Sequence, residues 1–243
     1  MSVARSIDGS ADIMILCDHA SNAVPSDVDL GIDPALLAKH IAIDIGAAAV
    51  SEALAAHLDA PAILATVSRL VIDLNREPDS AGLIPHVSDG HRISGNGEVA
   101  RAERIARFHA PYHRAIADAI RMRQPKLLVS VHSFTPRLEQ HDGNDRPWEI
   151  GILYNRDARA ARIGIELFKA AGVVTGDNEP YSGRILNATM NRHAEGNGIP
   201  YLGIEIRNDL ISDPAGVAHW AQLLAGIVKD ARNRLAQTGA PAT

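Results

Sequence analysis

One cysteine, Cys17, is the entire thiol content of the 243-residue chain, so an internal disulfide and a thiolate-rich zinc site within one chain are both excluded. Any metal must be held by histidines and carboxylates. Aromatic residues make up only 4% of the sequence, which leaves few platforms on which single-stranded nucleic acid or sugar rings could stack. A basic excess is missing too. The formal net charge is -5 and the arginines are scattered among acids, so nucleic acid is disfavoured as a partner. No apolar run approaches the ~20 residues of a membrane-crossing helix. Residues 1–12 lack a basic stretch followed by an apolar one, so no secretory signal is expected and the cytoplasm is the expected compartment. There is no Gly-x-x-x-x-Gly-Lys-Ser/Thr loop, no Gly-x-Gly-x-x-Gly after a strand and no Gly-x-Ser-x-Gly elbow, which removes the common nucleotide-binding and serine-hydrolase readings.

What is present fits one large domain spanning residues 1–243. Short apolar runs at 13–17, 62–67, 70–74, 127–131, 150–154 and 201–206 read as buried strands. Helical patterns alternate with them. Asp33-Pro34 caps a helix expected to reach about His57, residues 98–123 keep a helical period, 156–171 form a third helix, and Asp213-Pro214 opens a last one to about Arg234. Such alternation implies an α/β fold with a largely parallel sheet covered on both faces. Two long segments, 76–97 and 135–148, break the alternation and are rich in Gly, Pro, His, Asp and Asn, a composition and length that mark functional loops. The last residues, 237–243, are expected to fray.

Polar residues crowd the ends of the strands. The run 13–17 ends in Asp18-His19 and the run 127–131 ends in His132-Ser133, so two histidines leave what should be one edge of a parallel sheet. That is a start for a metal site, because a catalytic zinc takes three protein ligands and a water. Asp44, set among Ile41, Ala42, Ile43 and Ile45 in the first helix, is a candidate third ligand, with Asn22 and Asp18 as rivals. A solvated acid on the helix's polar face, or a pair with His40 four residues earlier, is the plainer alternative. In Ser68-Arg69-Leu70-Val71-Ile72-Asp73-Leu74-Asn75-Arg76, two arginines and an asparagine offer donors suited to a carboxylate, which implies a small acidic substrate. Pairing with Asp73 is the competing explanation. Arg207-Asn208 repeats the device behind Glu205, an acid that interrupts an apolar strand and beside a metal would act as general base unless it merely pairs with Arg207. Tyr181 and Arg184 sit on a glycine-containing turn able to close over a substrate.

The ordered blocks CDHASN, HIAIDIGA, SRLVIDLNR, SVHSFTP, NEPYSG and GIEIRNDLI, over about residues 13–212, resemble the N-formylglutamate amidohydrolase family, which is similar in fold and site logic to zinc carboxypeptidases and aspartoacylases. The resemblance implies a single three-layer αβα domain with a mixed, mainly parallel sheet and one zinc ion. It maps His19 and His132 onto metal ligands, with Asp44 of HIAIDIGA as the third, and Glu205 onto the general base. Arg69, Asn75, Arg76 and Arg207 fall to substrate binding, and Tyr181 and Arg184 to the loop that closes on substrate. The carboxypeptidase relatives carry a glutamate three residues after the first histidine; here that position is Asn22, a neutral amide and a poor zinc ligand. The implied activity is hydrolysis of the formyl amide of N-formyl-L-glutamate or a close N-acyl amino acid. Its rivals are a deacylase or carboxypeptidase-like hydrolase with another substrate, and a metal-free protein that binds an acidic metabolite. Both a monomer and a homodimer are compatible with the sequence.

Overall fold

The computed structural model describes residues 2–139 and 145–238. In chain order its elements are β1 (Ala4–Ile7), β2 (Ile13–Cys17), α1 (Ala47–Leu58), β3 (Ala62–Ala65), β4 (Val87–Ser88), β5 (His91–Arg92), α2 (Arg101–Arg104), α3 (Ala110–Arg123), β6 (Leu127–Phe134), β7 (Ile150–Leu153), α4 (Arg159–Ala170), β8 (Thr175–Asp177), α5 (Ala188–His193), β9 (Tyr201–Arg207) and α6 (Pro214–Thr238). Seven strands form one sheet in the order β1-β3-β2-β6-β9-β7-β8, and β4 and β5 make a separate hairpin. The central block β3-β2-β6-β9 is parallel, while β1 and the β7-β8 pair run against it. The sheet is thus mixed and mainly parallel.

Side-chain alternation along the strands divides the core in two. Ile15, Val129 and Ile204 face a cluster shared with α1, α4 and α6. Met14, Leu16, Leu128 and Tyr201 face the other, which holds Phe108, Tyr112 and Ile116 and the segment 67–84. Helices therefore cover both faces, giving three layers. The same parity places Asp18, His132 and Glu205 on the second face, at the carboxyl ends of three adjacent parallel strands. Open α/β sheets put their sites at that edge. No described helix is long and apolar enough to cross a membrane.

Several elements differ from expectation for identifiable reasons. Residues 70–74 are a buried irregular segment, not a strand. Its backbone groups are satisfied from elsewhere, as burial demands: Asn96 donates to Leu70 O at 2.8 Å, Arg104 to Val71 O at 2.5 Å, and Asp73 N to Leu83 O at 2.7 Å. The expected helix from Asp33 to about His57 is interrupted. Asp33 does cap a short 3-10 turn, Pro34–Ala38, but α1 begins only at Ala47, and Asp44 lies in the turn before it. Gly46 makes that turn, with φ of +81° and a position where a Cβ would lie 2.3 Å from Ile211 O. The helix over 98–123 starts at Arg101 and contains a π-turn, Ile105–His109, just before Pro111, whose missing N–H cannot serve a regular α-helical ladder. Strand β6 runs on to Phe134, so His132 belongs to the strand itself. The hairpin β4-β5 lies inside the long segment 76–97, and β1, β8 and α5 are further elements that periodicity did not mark. Part of the loop 135–148 and the frayed end expected at 237–243 fall, at 140–144 and 239–243, outside the described residues.

Three buried histidines sit behind the segment 70–76. His113 Nε2 donates to Leu74 O at 2.9 Å, His193 Nε2 donates to His113 Nδ1 at 2.8 Å, and His109 Nε2 donates to Arg76 O at 3.0 Å. Burial is the main cause that lowers His113 to about 3 and His193 to about 4. A histidine lowered on folding contributes stability that is complete above its unfolded value near 6.5 and is lost as pH falls toward the folded value. The slope is about 1.4 kcal/mol per pH unit for each group. Histidines raised on folding, His19 and His132 among them, oppose this trend, so the measurement is differential. Urea unfolding of the His193→Gln variant should lose less stability than wild type between pH 6 and 4.5, by about 1.4 kcal/mol per unit. Parallel curves would contradict the neutral, buried state of His193.

Candidate active site

Strand β2 delivers Asp18 and His19 as it leaves the sheet, and the register of β6 with β9 sets His132 directly opposite Glu205. The turn before α1 brings in Asp44, whose backbone N–H bonds to His19 O at 3.1 Å. One carboxylate oxygen, Asp44 Oδ2, lies 3.2 Å from His19 Nδ1 and 2.8 Å from His132 Nδ1. The other ring nitrogens are backed by acids: His19 Nε2 is 2.7 Å from Asp73 Oδ1, and His132 Nε2 is 3.3 Å from Asp18 Oδ2. Tyr112 holds Asp18 from behind with a 2.8 Å hydrogen bond. Arg69 clamps both Asp44 and Asp73, at 2.8 and 2.9 Å. All of these groups are buried except Arg69, which is partly so.

Electrostatics follows from that arrangement. Burial disfavours every ionised form here, yet the facing cations outweigh it for Asp44 and Asp73, which are held well below the usual carboxylate range by His19 and Arg69. Burial likewise opposes a charge on His132, but the carboxylates of Asp18 and Asp44 raise it well above the ordinary imidazole value. Glu205 goes the other way. Burial and, after it, Asp44 push it up to about 7 against the pull of His132 and Arg69, and its Oε2 has no hydrogen-bond partner among the described residues.

His19, Asp44 and His132 are a set that could hold a metal ion, with one donor atom from each lying within 4.8 Å of the others. The charge count fits a dication. Asp18, Asp44, Asp73 and Glu205 set against Arg69 and Arg76 leave two negative charges when both imidazoles are neutral. Each histidine also has a carboxylate behind it, the arrangement that fixes tautomer and ring orientation in metal sites.

His19, Asp44, His132 and Glu205 line a cavity of 150 Å³, together with Arg69, Asn75, Arg76 and Tyr181. Asn75 Oδ1 accepts from Thr189 N at 3.0 Å, so its NH2 group is the part left to donate. Tyr181 stacks under Arg146, 5.0 Å from ring centre to guanidinium carbon, and accepts from it at 3.0 Å. Arg184 and Arg207 do not line this cavity. Arg184 is exposed on the loop beyond Tyr181, and Arg207 pairs with Asp209, Nε to Oδ1 at 2.8 Å, and not with Glu205. Asn22 is exposed and donates to Leu37 O at 2.9 Å, away from the metal-type cluster. Sequence reasoning gave Asp73 only the part of an arginine partner, and its bond to His19 across 54 residues carried no sequence signal. Tyr112, His40 and Arg146 were likewise not singled out as site residues.

Comparison with known proteins gives this arrangement a family. By sequence, no protein of curated function matches the chain. In structure it is similar to a gene product of Agrobacterium tumefaciens, with 31% identity, a TM-score of 0.91 and coverage of 97% of this chain and 96% of that one. It shares its fold with N-formylglutamate amidohydrolase from Ralstonia eutropha, at 18% identity, a TM-score of 0.75 and coverage of 98% and 100%. A bacteriophage poly-gamma-glutamate hydrolase is more distant, at 11% identity, a TM-score of 0.50 and coverage of 97% and 91%. The family model for N-formylglutamate amidohydrolase matches residues 11–212, a span that runs from before β2 to beyond β9 and so takes in every residue of the cavity, and the chain belongs to that family.

Proposed function

We propose that the chain is a zinc-dependent amidohydrolase that releases formate from N-formyl-L-glutamate or removes a close acyl group from a similar amino acid. The observation that carries this reading is the convergence of His19, Asp44 and His132 beside a buried Glu205 whose Oε2 has no hydrogen-bond partner among the described residues, in the same cavity as Asn75 and Arg76. Zinc held by those three residues supplies Lewis-acid chemistry, acidifying water and polarising an amide carbonyl. Glu205, raised to about 7, is matched to taking a proton from the attacking water and returning it to the leaving nitrogen at neutral pH. Arg76 and the Asn75 NH2 group bind the substrate carboxylate and hold the amide in line for attack. Arg69 already serves two acids, so its first role is to keep Asp44 and Asp73 in place. Tyr181, held by Arg146, lines the same cavity, and Arg184 and Arg207 have no part in this reading.

A wider recess of 460 Å³ adjoins the cavity through His40, Arg69, Arg76 and Tyr181 and extends toward Val87 and Ser88. It favours a second reading in which the acyl group is longer than formyl. Formate release from N-formyl-L-glutamate, run beside a panel of N-acetyl, N-succinyl and N-glutamyl amino acids, separates the two. Turnover should vanish with a chelator and return with zinc. Binding of acidic amino acids without turnover, indifferent to chelator, would overturn both readings.

A further inference from the structure

Asn75 and Arg76 sit in an irregular segment with no strand ladder to orient it. Their direction must come from other contacts. The carbonyl of Leu74 belongs to the peptide plane before Asn75, and the carbonyl of Arg76 to the plane after Arg76. Between them these two planes bracket both residues. Leu74 O accepts from His113 Nε2 at 2.9 Å, and Arg76 O accepts from His109 Nε2 at 3.0 Å. His193 completes the set by donating to His113 Nδ1 at 2.8 Å. None of the three lines the cavity.

From these contacts we infer that His109, His113 and His193 are positioning residues for substrate-carboxylate binding: they pin the peptide planes on either side of Asn75-Arg76 and so aim both side chains into the cavity. The chemistry asks for histidine at the centre. His113 must donate on one ring nitrogen and accept on the opposite one, a rigid two-ended role that a neutral imidazole fills. The π-turn that ends at His109 and the start of α3 set His109 and His113 four residues apart, with ring centres 4.2 Å apart. That spacing lets one helical face reach both carbonyls. Burial keeps His113 and His193 uncharged through the neutral range, so the donor pattern does not change there.

The inference rests on the proposal that Asn75 and Arg76 bind the substrate carboxylate, and the test separates the two. On the zinc-loaded enzyme, His109→Leu and His113→Leu should raise KM for N-formyl-L-glutamate, and the inhibition constant of L-glutamate in parallel, by about tenfold or more, with kcat within about threefold. His109→Gln keeps an N–H at nearly the same reach and should return both constants toward wild type. Should the leucine variants not fold, His109→Asn, which keeps an amide but falls short of Arg76 O, carries the same expectation as leucine. Folded variants with wild-type KM and unchanged glutamate inhibition overturn the inference, and so does a loss confined to kcat or melting temperature. Arg76→Gln is the separate control. If it leaves KM and glutamate inhibition unmoved, the carboxylate reading fails and the inference with it; if it raises both while the histidine variants do not, only the positioning role fails.

Discussion

Replacing Glu205 with glutamine should reduce kcat for N-formyl-L-glutamate by 10²- to 10⁴-fold, the span in which a positioned general base acts, while zinc content stays at that of the wild-type chain. The glutamine has the same shape but cannot accept a proton, so the loss isolates chemistry from packing. Zinc should be retained because Glu205 is not one of the His19, Asp44 and His132 set. KM should change little, since Asn75 and Arg76 are untouched. Stability gives an independent readout. Glu205 is buried, raised to about 7 and without a hydrogen-bond partner at Oε2 among the described residues, so its ionised form is costly in place and a neutral amide removes that cost. The melting temperature of the variant should therefore equal or exceed that of wild type. Steady-state kinetics, metal analysis and a thermal melt on the same preparation test all of this. Retention of more than a tenth of the wild-type kcat would remove Glu205 from the base role.

How much of this was legible in the sequence depends on which distances carried the information. Apolar runs that end in polar residues marked β2, β6 and β9, and the parallel arrangement followed from their alternation with helices. That put His19 and His132 at one sheet edge, where the structure has them, and the register of β6 with β9 adds Glu205, which the sequence marked only as an acid interrupting its strand. Asp44 was also picked out, but for a partly mistaken reason. The apolar residues around it read as a helix, whereas Gly46 breaks the chain into a turn and the acid is buried because it faces two histidines. The run 70–74 has strand composition but cannot join the sheet, because Asn96, Arg104 and His113 occupy its carbonyls from 26, 33 and 39 residues away. Contacts of that kind leave no periodic trace. Asp73, the acid behind His19 from 54 residues away, was invisible for the same reason.

Asp44→Ala should strip the chain of zinc, whereas Asn22→Ala should leave it loaded, although Asn22 holds the place of the glutamate ligand in the carboxypeptidase relatives. The structural difference between the two positions is large. Asn22 is exposed and spends its amide on Leu37 O, while a single oxygen of Asp44 faces both His19 Nδ1 and His132 Nδ1. Removing Asp44 takes away the only carboxylate among the three proposed ligands. It also leaves Arg69 with one acid instead of two. Breaking a buried charge pair by deleting one partner costs about 3–5 kcal/mol, so the alanine variant should also melt well below wild type even when zinc is absent from both. Asp44→Asn separates the two effects. The amide keeps the volume and can still accept from Arg69, so it should recover part of the stability, but as a neutral and weak ligand it should not recover zinc. Metal content after dialysis, measured beside the melt, distinguishes a lost ligand from a lost fold. Full zinc in folded Asp44→Ala protein would move the third ligand elsewhere, and Asp18, 3.3 Å from His132 Nε2, is the carboxylate on which the same pair of substitutions would then be made.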